Sequence, residues 1–332
     1  MRAGQASSAS PWRANRNGKI AIAVAAALVV VAAGSWFVST VLPDLTGANP
    51  ISGRQLYVDP DSAAAAMAAQ QVPDSAEAAA FETLASTPSA IWLVPEEHPT
   101  AEISSYLRGV VASAETGDSL PVFVVYGIPG RDCGNASAGG LSESEYPEWV
   151  AAIGEGLGSR ESIVILEPDS LALAEECGNT DERVDELQAA ISALEASGAV
   201  VYIDGGHSNW HPAADMAPLL TRAGIDRVRG FATNVSNFNT TADERAYASR
   251  LSSLTGGAHY VIDTSRNGNG SNGEWCNPAG RAIGDYPNLD DSDSAFDANL
   301  WIKIPGESDG PCSGGPASGE WWVEGALALV AN

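Results

Sequence analysis

Carboxylates stand at or just beyond the ends of a series of short apolar runs. PVFVVYG (121–127) leads into Arg131, Asp132 and Cys133, and SIVILEP (162–168) carries Glu167 with Asp169 next. AVVYID (199–204) ends on Asp204 with His207 following, and NLWIKIP (299–305) precedes Glu307 and Asp309. Two more runs end in Asn234 and in Asp263, the latter followed by Arg266. Several carboxyls on one rim suit acid–base work in which one protonates a leaving oxygen and another activates water. A glycosidic bond needs that pair. Crowded carboxyls raise one another's pKa, so one can stay protonated near neutral pH while others ionise. Trp92, Tyr126, Trp210 and Trp275 fall in the same regions, where flat rings can stack on the apolar faces of sugars.

Each residue also has an ordinary reading. Asp132 and Asp169 could cap helices or turns, Asp204 could be a turn aspartate before Gly205 and Gly206, and Glu307 with Asp309 could sit on a solvated loop. His207 and His211 lack the neighbouring cysteine or HExxH spacing of a metal site. A single tryptophan is more often core than sugar platform. Their joint occurrence at run ends is the unusual feature.

The elements that would position these groups follow from the runs. AIWLV (90–94), the four runs above, VRGFATN (228–234) and HYVID (259–263) make seven candidate strands, nearly all apolar rather than alternating, as for parallel strands covered by helices. Between them Val184, Leu187, Ile191 and Leu194 fall at helical spacing, and Thr241 with Glu244 suggests a capping box. The expected fold is α/β, a closed or nearly closed TIM-like parallel barrel with its chemistry at the C-terminal strand ends. No glycine-rich loop follows the first strand, which disfavours the open doubly wound alternative.

The chain has 332 residues, 45% of them hydrophobic, and a formal charge of −25. Arg2, Arg13, Arg16 and Lys19 all precede the first acidic residue, Asp44, so the body is more acidic than the whole. Such a surface repels nucleic acid and fits a neutral polymer better than an anionic one. Ile20 to Leu42 is an uncharged, largely apolar run behind a basic flank, read as an export signal or a membrane anchor. Residues 1–45 are thus assigned to export or anchoring, 46–55 to a short connector and 56–332 to one domain facing outward. In an exported body Cys133, Cys177, Cys276 and Cys312 favour two disulfides. Of the three pairings, Cys133–Cys177 and Cys276–Cys312 are expected, because each would tie loops at the same end of nearby strands.

The segments VVYGIPGRDCGNAS, VILEPDSLAL, VYIDGGHSNW, FATNVSNFN, VIDTSRNG, EWCNP and WIKIPGESDG together resemble glycoside hydrolase family 6, in order, from about Leu56 to Trp322. The resemblance implies a distorted seven-stranded barrel that hydrolyses the β-1,4 bonds of cellulose with inversion and without a cofactor or metal. It implies Asp169 as general acid, Asp132 as the aspartate supporting its protonation, Asp309 as candidate base and Asp204 as a charge-stabilising residue. Tyr126 would lie beside the distorted sugar, and Trp92, His207, Trp210, Asn234, Trp275, Lys303 and Glu307 would contact the glucan. Two departures are notable. The paired serines frequent in the family are here Ser137 and Ala138, and a proline–aspartate pair is Pro129 and Gly130. Asp169 and Cys177 are only eight positions apart and Cys276 and Cys312 only 36, which leaves little chain for a roof and points to an open cleft and internal cutting. An exo-acting cellobiohydrolase, a non-hydrolytic carbohydrate-binding protein and a metal-dependent deacetylase on a similar barrel are the competing readings. A monomer is expected, touching membrane only through its N-terminal segment.

Overall fold

The computed structural model describes residues 47–72, 75–135, 137–289 and 294–332. The Ile20–Leu42 run, read as a signal or anchor, lies outside them. Among the described residues no helix is long and apolar enough to cross a membrane.

The apolar runs become parallel strands because both of their faces are buried. In chain order the strands are β1 (Gln55–Leu56), β2 (Ile91–Leu93), β3 (Ser119–Leu120), β4 (Val122–Val125) and β5 (Ser162–Leu166), then β6 (Ala199–Asp204), β7 (Gly230–Thr233), β8 (His259–Asp263), β9 (Asn288–Leu289) and β10 (Phe296–Leu300). The main sheet runs β2-β4-β5-β6-β7-β8-β10-β9, parallel throughout except for β9, which pairs antiparallel with β10. β1 and β3 form a separate parallel pair. The Ala90 N–H donates to Trp301 O at 2.9 Å, and Trp92 Nε1 to Ile302 O at 2.8 Å, linking the first main-sheet strand to the chain leaving β10. Seven parallel strands therefore curl into a distorted barrel, as expected.

The helices are α1 (Ala63–Ala68), α2 (Ala76–Ala85), α3 (Thr100–Thr116), α4 (Tyr146–Leu157), α5 (Ala174–Cys177), α6 (Thr180–Leu194), α7 (Ala213–Ala223), α8 (Thr241–Leu254) and α9 (Val323–Ala331). Ile103, Leu107 and Val111 on α3, and Val184, Leu187, Ile191 and Leu194 on α6, face the outer side of the sheet against Phe123, Val125 and Leu166. Val122, Val124, Ile163, Ile165 and Tyr202 fill the barrel interior. This alternation gives each strand two apolar faces.

Two expectations are corrected. The last parallel strand is Phe296–Leu300 rather than 299–305, because the amides of Ile302 and Lys303 donate to the Asp263 carboxylate (3.2 and 2.9 Å) instead of continuing a ladder. The α8 cap is Thr240, whose hydroxyl accepts from Asp243 N, so Thr241 and Glu244 form no capping box; Glu244 instead turns inward and accepts from Ser208 N at 2.9 Å. The segment from 47 to 55 is tethered at two points. Ile51 is 1% exposed inside the barrel cluster, and Arg229 Nη1 donates to Gly47 O. Arg229 also forms a fully buried pair with Asp297, which Tyr202 and His259 join at the N-terminal ends of the strands.

Candidate active site

The opposite, C-terminal ends of the strands carry the chemistry. Asp132, Cys133, Glu167, Asp169, Asn234 and Ser236 all have φ between 47° and 67°, a left-handed conformation uncommon outside glycine. Each such residue costs on the order of 1 kcal/mol and persists where the surroundings over-determine it. Glu167 shows how. Its buried carboxylate accepts the Gly127 N–H (3.0 Å) and the Ile128 N–H (3.2 Å), clamping the turn after β4 to the end of β5. That clamp fixes Tyr126 on one side and Asp169 on the other.

A cleft of about 1340 Å³ lies over these ends. Ten of the residues singled out in the sequence line it: Trp92, Tyr126, Asp132, Asp169, His207, Trp210, Trp275, Lys303, Glu307 and Asp309. Two do not. Asp204 sits beneath Asp169 at 1% exposure, where its Oδ2 accepts the main-chain N–H groups of Asp169 (3.0 Å) and Gly206 (3.2 Å). Asn234 is fully buried, donating to Asp263 O and Asn239 O and accepting from Asn239 N, so every polar atom of its amide is spent on the floor.

Burial first, then the nearby charges of Asp204 and Asp132, pushes the Asp169 carboxyl well above the usual carboxylate range. Burial likewise pushes Asp204 up to about 7, against the pull of its two amide donors. Because those donors stabilise the ionised form of Asp204, Asp169 is the member of the pair that keeps the proton. Asp132 accepts the Ser137 N–H at 2.8 Å. Burial, followed by Asp169 and Asp132, raises the Tyr126 phenol, which remains a hydrogen-bond donor at any working pH.

On the other wall Asp309 is fully engaged. Arg266 Nη1 lies 2.9 Å from Oδ1, and the Asn277 N–H donates to Oδ2 at 2.9 Å. Lys303 Nζ pairs with Glu307 at 2.8 Å and lies over the Trp92 ring, which packs edge-on to Tyr126 with centroids 5.2 Å apart. Burial and His211 lower His207 to about 4, so its imidazole is neutral among Asn237, Asn239 and Trp210. Trp275 is 59% exposed at the cleft edge. Among the described residues no group of three or more His, Cys, Asp or Glu side chains is placed to hold a metal ion. Acid, neutral donor and flat aromatic surface converge in one cleft, an arrangement suited to a sugar chain.

The sequence matches the family described as Glycosyl hydrolases family 6 over residues 51–332. The chain belongs to that family. It is 46% identical to Endoglucanase A of Cellulomonas fimi over 287 residues, covering 86% of this chain and 62% of the other. It is 45% identical to Endoglucanase 1 of Streptomyces sp. (strain KSM-9), covering 70% and 67%. The fold is similar to that of the endoglucanase Cel6 from Mycobacterium tuberculosis, solved with methyl-cellobiosyl-4-deoxy-4-thio-β-D-cellobioside: TM-score 0.81, 42% identity, 86% of this chain and 99% of the other. The chain thus spans less than two thirds of the length of the Cellulomonas relative.

Both disulfides of this family member are the expected ones, Cys133–Cys177 and Cys276–Cys312. The first ties the Asp132 loop to α5, and the second joins the segments bearing Trp275 and Asp309. Several site residues were not singled out for a role from sequence. Arg131 donates to Tyr126 O (2.7 Å) and Ser137 O (2.8 Å) and pairs with Glu96, holding the Asp132 loop in place. Glu96 and Asn277 stand on irregular segments with no periodicity to mark them. The glycines after Ser137 were a readable signal: Gly140 has φ 85°, and a Cβ there would run into the Ile128 carbonyl.

Proposed function

We propose that the protein is an endoglucanase that hydrolyses internal β-1,4-glucosidic bonds of cellulose or a related β-glucan with inversion. The observation that carries this reading is the Asp169 carboxyl lining an aromatic-walled cleft together with Asp132, fixed through its main-chain N–H to Asp204. Asp169 donates its proton to the leaving glycosidic oxygen. Asp132 and Asp204 supply the negative field that keeps the proton on Asp169 until then and stabilises the positively charged sugar as the bond breaks. Tyr126 donates to the sugar beside the broken bond; Trp92, Trp210 and Trp275 stack on its neighbours; His207, Lys303 and Glu307 hydrogen-bond their hydroxyls. Asp309 takes up the proton of the attacking water. With both its oxygens held by Arg266 and Asn277, it does so along a remaining lone pair or through a second water.

Internal cutting is supported by the shortness of the flanking loops. Asp169 to Cys177 is almost filled by the turn into α5, and the 36 positions from Cys276 to Cys312 must also accommodate β9 and β10. The protein works as a monomer outside the cell, with residues 1–45 directing export or anchoring. The test is viscometry of a soluble substituted cellulose with parallel reducing-sugar assay, with and without chelator. Viscosity should fall early, ahead of sugar release, and chelator should leave the rate unchanged. Cellobiose accumulating at constant viscosity would indicate exo attack, and binding without release would refute hydrolysis.

A further inference from the structure

Ser137 and Ser318 meet across the cleft. Their Oγ atoms are 3.0 Å apart although 181 positions separate them in the chain, and both residues line the cleft wall. Ser137 belongs to the loop that carries Asp132. That loop is closed at its base by an antiparallel bridge between Arg131 and Gly139 and by the Cys133–Cys177 disulfide. Within it the Ser137 N–H donates to Asp132 Oδ2, and the Ser137 carbonyl accepts from Arg131 Nε. Any displacement of Ser137 is therefore passed directly to the Asp132 carboxylate.

Ser318 sits on a loop of a different kind. Ser308 Oγ donates to Pro316 O at 2.9 Å, and the Gly319 N–H donates to Ser308 O at 3.0 Å. Ser308 immediately precedes Asp309, and the loop begins at the Cys276–Cys312 disulfide. The Ser137–Ser318 contact thus joins the wall that holds the acid side of the site to the wall that holds Asp309.

We propose that Ser318 is a positioning residue that latches the Asp132 loop across the cleft through Ser137. Two hydroxyls in contact use one hydrogen between them. The other hydrogen is left for a third group in the cleft, where the Tyr126 phenol lies within reach of Ser137 and a water molecule or a sugar hydroxyl can be held between the two walls. The catalytic part of this inference rests on the hydrolase reading above; the mechanical part, a loop held by its partner across the cleft, does not.

The experiment compares wild type, Ser318→Ala, Ser318→Thr, Ser137→Ala and the double alanine variant by two readouts. Turnover on soluble β-glucan gives kcat and KM, and amide hydrogen exchange reports on residues 133–140 whether or not the protein is active. Ser318→Ala should lower kcat by about fivefold, the worth of one neutral hydrogen bond, with KM within about twofold. It should also speed exchange at Ser137 and Ala138 at unchanged Tm, and Ser318→Thr should restore both. The double variant should match the single ones, as expected for partners in one interaction. Unchanged exchange in Ser318→Ala, failure of threonine to rescue, or additive losses in the double variant would overturn the latch. Wild type that releases no sugar from β-glucan would instead refute the hydrolase reading, and exchange would still judge the latch.

Discussion

The main-chain N–H of Asp169 donates to Asp204 Oδ2 at 3.0 Å, so the two aspartates are joined through a backbone amide and not through a shared proton. This link does two things. It fixes the left-handed backbone that aims the Asp169 side chain into the cleft, and it gives Asp204 a reason to remain ionised beneath it. The negative charge so maintained keeps the proton on Asp169.

Asp132→Asn should move the alkaline limb of the pH–rate profile. Asp132 raises the Asp169 pKa by charge repulsion, so an uncharged residue there lowers it. Activity needs protonated Asp169 and is lost as pH rises through that pKa; the limb therefore shifts to lower pH. The measurement is kcat/KM from pH 4 to 9, on the order of ten points. A limb that stays in place would show that Asp132 acts on something other than the proton of Asp169.

Stability should decline from mildly acid to mildly alkaline pH. Burial raises Glu167 to about 7 and pushes Asp169 well above the usual carboxylate range, while in the unfolded chain both carboxyls titrate at about 4. The folded protein thus binds more protons above the unfolded value. The associated stability is complete below the unfolded pKa and is lost as pH rises through about 7 and beyond. Scanning calorimetry at about pH 5 and about pH 8 should give the higher Tm at the lower value. The opposite order would mean that these carboxyls are ionised in the native state.

Removing the Cys276–Cys312 disulfide should harm catalysis more than the barrel. The bond encloses 36 positions at the strand-end face, and Asn277, beside Cys276, both donates to and accepts from Asp309. The double variant Cys276→Ala/Cys312→Ala should lose roughly 2–4 kcal/mol of stability. Its far-UV circular dichroism should be unchanged at 25 °C, on the order of ambient temperature, while kcat falls. Wild-type kcat in a less stable protein would show that the Asp309 segment holds itself in place without the bond.

Much of this architecture was legible because both faces of each parallel strand are buried, which leaves runs such as VFVV and SIVIL with no polar interruption. The positions of Asp132, Asp169 and Asp309 follow from the barrel rule that strand ends face the site. What was not legible depended on side chains standing in for backbone. Asp263 takes four main-chain N–H groups, from Ser236, Ser265, Ile302 and Lys303, and so ends β10 early although the apolar run continues through Trp301 and Ile302. Asn234, at a strand end and polar, satisfies the same rule as Asp169 yet is consumed beneath the floor. Gly47 to Ile51 read as a connector because its composition is that of a loop; only the buried Arg229–Asp297 pair, far away in sequence, gives it a place to dock. Ser318 lies in a Gly/Ser-rich stretch with no pattern, and its partner is visible only in three dimensions.

The claim on which the rest depends is that Asp169 is the proton donor, and Asp169→Asn tests it most directly. The amide keeps the size of the side chain but has no proton to give, so turnover of a soluble β-1,4-glucan should fall by about 10²–10⁴-fold. An aryl cellobioside whose leaving group needs little protonation should lose far less, with circular dichroism and Tm close to wild type. Near-wild-type turnover of the glucan by Asp169→Asn would contradict the assignment and with it the mechanism built on this site.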